Sequence, residues 1–293
     1  MGCQVSEVQI LSPRPSFLGL RLKVWGKSDS LEPPVLNLHR LIMSEHPKIL
    51  VTNDDGIYSK GILILAKALS GIGEVFVIAP DREKSAIAHS LTLHRPLRVE
   101  KIKRNFYAID GTPADCVHIG VSAILSERPQ LIVSGINKGG NLGDDITYSG
   151  TVSAAFEGTL LGIPSFAISL VSRSHFKFHP AARFAVRVAK CILKKGLPED
   201  TLLNVNVPNL DEREIKSYQI TQQGRWIHSG SAVVEKTDPR GKKYYWIGGG
   251  QLTFDQRGDT DFEAVTHHSI SITPLHLDLT DYASIPLMKK WKL

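Results

Sequence analysis

Residues 51–60 read VTNDDGIYSK, directly after Ile49 and Leu50. A short apolar run therefore stops at Asn53-Asp54-Asp55-Gly56. Such a run, halted by a glycine-containing turn, reads as a buried strand, here Lys48 to Thr52. Ser59 to Ser70 then places apolar residues at 62, 65, 66 and 69, the spacing of a helix. Strand, acidic turn and helix are the opening of an alternating α/β chain. The turn itself raises a question of charge. Two adjacent aspartates at the end of a buried strand repel each other, and a positive partner would offset that repulsion.

Working outward, the alternation continues. Val75 to Ala79 is a strand ended by Pro80, Leu131 to Ser134 an apolar strand, and Thr151 to Leu161 a helix. Ser165 to Leu170 is a strand, Ala181 to Lys194 a helix, and Leu202 to Val207 a strand closed by Pro208. This pattern predicts an α/β fold: a Rossmann-like, mostly parallel sheet with helices on both faces. Ligands of such sheets bind beyond the carboxyl ends of the strands. His89 and His94 are expected to flank a further strand. Asp110 to Cys116 is expected to be a turn entering a helix, with Thr112 a cap that also lines the cleft.

The two ends of the chain differ from this core. Residues 218–256 hold Gly224, Gly230, Gly241, Gly248, Gly249 and Gly250 between aromatic and β-branched segments such as Tyr244-Tyr245-Trp246-Ile247. They predict a β-hairpin extension over about 215–260, suited to oligomerisation. Ile270 to Thr273 reads as a late strand returning to the sheet. Residues 1–42 contain Pro13, Pro15, Pro33 and Pro34 and show no apolar period. They are expected to form a poorly ordered N-terminal tail, with one compact domain over 43–293.

Composition narrows the function. With 293 residues, 42% hydrophobic and 22% charged, a large core is expected. The net charge of +6 comes without a dense basic cluster interleaved with aromatics, so it argues for small anionic substrates rather than a nucleic-acid polymer. Cys3, Cys116 and Cys191 make an odd count without a CxxC pair, which points to a reducing cytoplasm and away from disulfides or a thiolate zinc site. No stretch has the roughly 20 apolar residues of a membrane span, and the first twenty residues lack the pattern of a signal peptide.

Three loops follow three strands in the same manner. Asn53 to Gly56 follows the first, Pro80 to Ala86 the second, and Gly135 to Asp145 the strand at 131–134. Parallel strands would bring all three to one edge of the sheet. That edge would hold carboxylates, a serine hydroxyl and an asparagine amide, which are hard oxygen donors suited to magnesium, manganese or calcium. Taken alone, Asp54 is better read as a cap of the next helix. Together with the other loops it points to a metal site. The third loop has five glycines in the sixteen residues 135–150 and ends in Tyr148-Ser149-Gly150-Thr151 at a helix start. Free N–H groups and the positive end of the helix dipole make an anion site there. Gly150 would let the backbone come close to a ligand or adopt a positive φ. The plainer reading of Ser149 or Thr151 is an N-cap. Lys138 is a further candidate phosphate contact or a solvated lysine. The loop is not a Walker A sequence, no histidine pair has a zinc spacing, and no nucleophile elbow occurs.

These motifs resemble the SurE family, the stationary-phase survival nucleotidases. The stretches that carry the resemblance are ILVTNDDGIYSKGI (49–62), APDREKSA (79–86), GTPADCV (111–117), VSGINKGGNLGDDITYSGTVSAA (133–155), DPRG (238–241), YYWIGG (244–249) and ISITPLHLDLT (270–280). Ala88 stands where the family often has glycine. The resemblance implies a phosphomonoesterase hydrolysing nucleoside 5′- and 3′-monophosphates, and also short-chain polyphosphate. It implies one divalent cation, Mg2+ or Mn2+, on Asp54, Asp55, Ser85 and Asn137. On this reading Asp54 and Asp55 are the catalytic pair, and Asn141, Ser149, Gly150 and Thr151 hold the phosphate. It further implies a homodimer or homotetramer with exchanged C-terminal segments. The alternatives are a metal-dependent nucleotide-binding module without turnover, and a phosphatase with an aspartyl-phosphate intermediate. The second commonly uses an Asp-x-Asp spacing, which the adjacent Asp54-Asp55 pair fits poorly.

Overall fold

The computed structural model describes residues 46–229, 233–247, 251–254 and 257–292. The expected tail at 1–42 lies outside the described residues, as do Gly230, Gly248, Gly249 and Gly250 of the extension.

The chain alternates as its sequence suggests. β1 (Lys48–Thr52) leads through α1 (Lys60–Leu69) to β2 (Glu74–Pro80), followed by β3 (Val99–Lys103), β4 (Phe106–Ile109) and α2 (Pro113–Ile119). Then come β5 (Leu131–Lys138), α3 (Gly150–Leu160), β6 (Ser165–Val171), α4 (Phe178–Lys195), β7 (Thr201–Pro208) and β8 (Tyr218–Ile220). β9 (Trp226–Ser229), β10 (Val233–Thr237), β11 (Lys243–Ile247) and β12 (Gln251–Phe254) precede α5 (Asp261–Thr266), β13 (Ile270–His276) and α6 (Ile285–Met288).

One nine-stranded sheet runs in the order β3-β4-β2-β1-β5-β6-β7-β13-β8. β1 pairs in parallel with both β2 and β5, and the parallel pairing continues through β6 to β7. β3 on β4 and β13 on β7 are antiparallel. From β1 the chain builds outward through β2 and β4 on one side, then restarts at β5 on the other. The carboxyl ends of β1 and β5 therefore flank a switch point, the place where such sheets bind ligands.

The core lies on both faces. Ile49 and Val51 pack with Ile62, Leu65 and Leu69 of α1 and with Ala185 and Ala189 of α4. Leu50, between them, packs on the opposite face with Cys116 and Val117 of α2 and Ala154 of α3. Alternate side chains of a strand point to opposite faces, so a strand covered on both must be apolar throughout. That is why KILVT shows no polar alternation.

Two local expectations are corrected. Gly135 to Lys138, expected as loop, is still strand: β5 keeps pairing with β6 through a register shift between Gly135 and Asn137. No strand lies between His89 and His94; the strand in this region is β3, ten residues beyond His89. β3 is an exposed edge with Glu100, Lys101 and Lys103, so it has no buried face to print an apolar alternation in the sequence. The hairpin extension is present as β10 on β11 and β9 on β12, nested antiparallel pairs. Among the described residues no helix is long and apolar enough to cross a membrane.

Candidate active site

Asp54 and Asp55 leave the carboxyl end of β1 beside the ends of β2 and β5. Hydrogen bonds tie the three loops together. The Lys84 N–H donates to the Asp54 carbonyl at 2.7 Å, which fixes the loop after β2 to the loop after β1. The Lys138 N–H donates to Asp55 Oδ2 at 3.3 Å, which ties in the end of β5. Asn53 stabilises the turn from within, its Nδ2 donating to the Gly56 carbonyl at 3.2 Å and to Ser59 Oγ at 2.8 Å. Asn53 Oδ1 is buried without a partner.

Asp54 is 4% exposed. It does not cap α1, where Ser59 holds the N-cap position. Its carboxylate instead faces the start of α3. Thr151 Oγ1 donates to Asp54 Oδ1 at 2.5 Å, and the Thr151 N–H to Oδ2 at 3.2 Å. Burial raises the Asp54 pKa to about 6, and the charge of Asp55 adds to the rise while Thr151 opposes it. Burial also raises Asp55, against the nearby Lys138, whose Nζ stands 3.6 Å from Asp55 Oδ1. Lys138, a candidate phosphate contact in the sequence, is thus the cation beside Asp55.

Of the other expected ligands, Ser85 stands on the loop after β2 and Asn137 near the carboxyl end of β5. Ser85 is exposed and donates to Glu83 Oε1 at 2.8 Å. Asn137 is half-buried, and its Nδ2 donates to the Gly139 carbonyl at 3.0 Å. Asp54, Asp55 and Ser85 therefore lie on loops, and Asn137 in the last residues of β5, at one edge of the sheet. The groups they offer are oxygens. Among the described residues no cluster of three His, Cys, Asp or Glu side chains forms a metal site, so a cation here would rely on neutral oxygens beside the two carboxylates.

The residues expected to hold phosphate are placed as follows. Ser149 is the N-cap of α3, its Oγ accepting from the Val152 N–H at 3.0 Å. Thr151 reaches Asp54 with both its hydroxyl and its N–H. The helix start thus already faces one anion, the Asp54 carboxylate, and the dipole there favours it. Gly150 lies between them with φ in the negative region; the glycine is needed for space. A Cβ there would stand 2.9 Å from Asp54 Cβ, 3.1 Å from its Oδ2 and 3.3 Å from Pro113 Cγ. Thr112 accepts the Asp115 N–H at 3.0 Å, so it is the N-cap of α2.

Asn141 is 6% exposed and is clamped from β6 and β7. Its N–H donates to Asn206 Oδ1 at 2.8 Å, its carbonyl accepts from Asn204 Nδ2 at 2.7 Å and Asn206 Nδ2 at 2.9 Å, and its own Nδ2 donates to Ser169 Oγ at 2.7 Å. Sequence reasoning missed Asn204 and Asn206. The signal was present: in LLNVNV the two asparagines alternate within an otherwise apolar strand. Buried amides in such a strand need partners, and a loop backbone supplies them. Also missed was Glu157 of α3, which accepts from or donates to His89 Nε2 at 3.0 Å and His118 Nδ1 at 2.9 Å according to their protonation. It anchors the long loop after β2, which also carries Ser85, onto α3.

The family model described as "Survival protein SurE" matches residues 49–230. A protein of Geotalea uraniireducens named 5′-nucleotidase SurE is 53% identical over 247 residues, covering 84% of this chain and 99% of its own. One of Pelobacter propionicus with the same name is 56% identical over 244 residues, covering 83% and 98%. Among solved structures, the SurE protein of Aquifex aeolicus superposes with a TM-score of 0.75 at 47% identity, covering 83% of this chain and 98% of that one.

Proposed function

The chain belongs to the SurE family, and from that premise we propose that the three-loop edge is a metal-dependent phosphomonoesterase site. The chain is a nucleotidase that converts nucleoside 5′-monophosphates to nucleoside and phosphate. We extend this to 3′-monophosphates and short-chain polyphosphate, which present the same terminal phosphoryl group. The observation that carries the reading is Asp54. Its carboxylate is buried beside Asp55 and gripped by the start of α3, where the network around it fixes its position.

The residues fit a divalent cation on the chemistry of their donors. Burial penalises both carboxylates; the charge of Asp55 adds to the penalty on Asp54, and that of Glu83 to the penalty on Asp55. Asp54, Asp55, Ser85 and Asn137 would hold one Mg2+ or Mn2+. Bound there, the ion supplies charge neutralisation at the phosphoryl oxygens and an acidified water. The chain's own residues do the positioning. Thr151 orients Asp54. Lys138 opposes the burial that raises the pKa of Asp55, and Asp55 would accept a hydrogen bond from the attacking water. Gly150 lets Asp54 lie close against the start of α3, and Asn141, Ser149, Gly150 and Thr151 would line the phosphate side of the site.

The same premise favours a homodimer or homotetramer. Trp246 is 63% exposed and Ile247 90% exposed on β11, apolar surface that a second copy would cover. We assign the enzyme to the cytoplasm, where thiols such as Cys116 and Cys191 stay reduced.

Phosphate release from nucleoside 5′- and 3′-monophosphates and from polyphosphate tests the whole reading. Activity should vanish after chelation and return with Mg2+ or Mn2+. Full turnover after exhaustive chelation would refute the metal; nucleotide binding without any release would leave a binding module.

A further inference from the structure

Asp261, the first residue of α5, is fully buried and is far in sequence from every residue assigned above. Its carboxylate accepts three backbone N–H groups. Oδ2 takes Gly143 at 2.8 Å; Oδ1 takes Gly224 at 2.9 Å and Phe262 at 2.9 Å. Gly143 belongs to the glycine-rich loop, two residues past Asn141 and six before Ser149. Gly224 belongs to the base of the hairpin arm, two residues before β9. One buried carboxylate therefore ties the arm to the substrate-side loop.

Other contacts converge at this point. Gln223 Nε2 donates to the Gly143 carbonyl at 3.1 Å, and the Trp226 N–H donates to Asp144 Oδ2 at 3.2 Å. The Phe262 ring meets Trp226 edge-on at 4.5 Å and stacks on Phe254 at 5.1 Å, so both strands of the arm base, β9 and β12, rest on it. The two glycines are pressed on the same ring. A Cβ at Gly143 would come within 2.5 Å of Phe262, and one at Gly224 within 2.4 Å. Gly143 also has φ of +53°, which other residues rarely adopt. Charge-assisted hydrogen bonds to a buried carboxylate are strong and hold geometry closely. Asn141 is clamped by Asn204 and Asn206 on one side of this anchor, and Ser149 and Thr151 engage α3 and Asp54 on the other.

We propose that Asp261 is a positioning residue for nucleotide hydrolysis, and that through it the hairpin arm sets the placement of the loop at Asn141–Thr151. The proposal rests on the site reading above. A disturbance at the arm base is therefore transmitted to substrate binding without touching any residue of the site.

The test uses the full chain with Asp261→Asn, Gly224→Ala and Gln223→Ala. Asp261→Asn keeps the shape but turns an acceptor oxygen into an amide facing an N–H. Gly224→Ala forces the arm base off Phe262. Gln223 is exposed, so Gln223→Ala removes one hydrogen bond to the loop with little risk to folding. KM and kcat for a nucleoside 5′-monophosphate are measured alongside hydrogen exchange of amides 141–151 and the melting temperature. The expected result for the first two is a KM raised about tenfold with kcat changed little, the pattern of lost uniform binding, and faster exchange at Gly143. Gln223→Ala should raise KM about two- to threefold at an unchanged melting temperature, the scale of one weakened hydrogen bond. A lower melting temperature with KM and loop exchange both unchanged would overturn the proposal and leave Asp261 a structural residue only. If Asp261→Asn and Gly224→Ala fail to fold, an unchanged KM and exchange in Gln223→Ala would overturn it equally. Gly150→Val is the control for the site reading. If that variant keeps its KM, the loop is not the phosphate site, and the coupling is judged on exchange at 141–151 alone.

Discussion

Gly150→Ala asks how tightly α3 holds the metal-side carboxylate. The added Cβ would stand 2.9 Å from Asp54 Cβ and 3.3 Å from Pro113 Cγ. Carbon contacts prefer about 3.5–4.0 Å, so the nearest falls short by roughly 0.6 Å or more. Neither neighbour yields easily. Asp54 is held by Thr151 and by the Lys84 N–H on its carbonyl, and Pro113 opens α2. Alanine is better than glycine inside a helix by about 1 kcal/mol, while overpacking costs about 1–3 kcal/mol. The net loss of stability is then about 0–2 kcal/mol, a few degrees of melting temperature at most for a chain of this size. Activity should suffer far more. A displacement approaching 1 Å at a catalytic group costs about 10²-fold, so kcat/KM for a nucleoside 5′-monophosphate should fall by about that factor. Paired thermal melts and phosphate-release kinetics on one preparation suffice. A variant with near-normal kcat/KM would refute the reasoning: either Asp54 is free to shift, or its position against α3 does not matter to the reaction.

Asp54→Asn keeps the shape and removes the charge. Its circular dichroism should match the parent while activity falls more than about 100-fold, the upper end for loss of an outer-shell partner; an unfolded variant would make Asp54 an anchor of α3 first. Chelation followed by Mn2+ titration should show weaker metal affinity in this variant, read by calorimetry. Glu157 gives a pH test. Burial raises its pKa, but the hydrogen bonds and charges of His89 and His118 more than offset this and leave it below its ordinary 4.5. Its contribution is therefore present above pH 4.5 and lost as pH falls through the lower folded value. Glu157→Gln should cost about 1–3 kcal/mol near neutrality, with the gap to the parent closing in denaturant titrations below pH 4.5. A gap that stayed constant down to pH 3 would show that the charge of Glu157 is not what stabilises the fold.

The sequence by itself determined the strands that are buried on both faces and the loops that end them. β1, β2, β6 and β7 were legible because a strand covered on both faces is mostly apolar, and a proline or an acidic turn marks the end of β1, β2 and β7. That Asp54, Asp55, Ser85 and Asn137 gather toward one edge was legible for a related reason, since polar residues at the ends of parallel apolar strands share that edge; their roles as metal ligands come from the resemblance to the SurE family. What the sequence left open was every relation between distant segments. It could not say that Asp54 belongs to α3 rather than α1, because capping the next helix and gripping one that starts almost a hundred residues later need the same side chain. Nor could it show that Gly150 is a glycine for space and not for φ, since the atoms that fill that space come from Asp54 and Pro113. Edge strand β3 escaped notice because it has no buried face. Asn204, Asn206 and Asp261 looked like stray polar residues until tertiary structure supplied the backbone groups they bind. Hydrophobic burial writes a local period into the chain, whereas a hydrogen bond between remote residues leaves none, and only the folded structure decides which partner each polar group has.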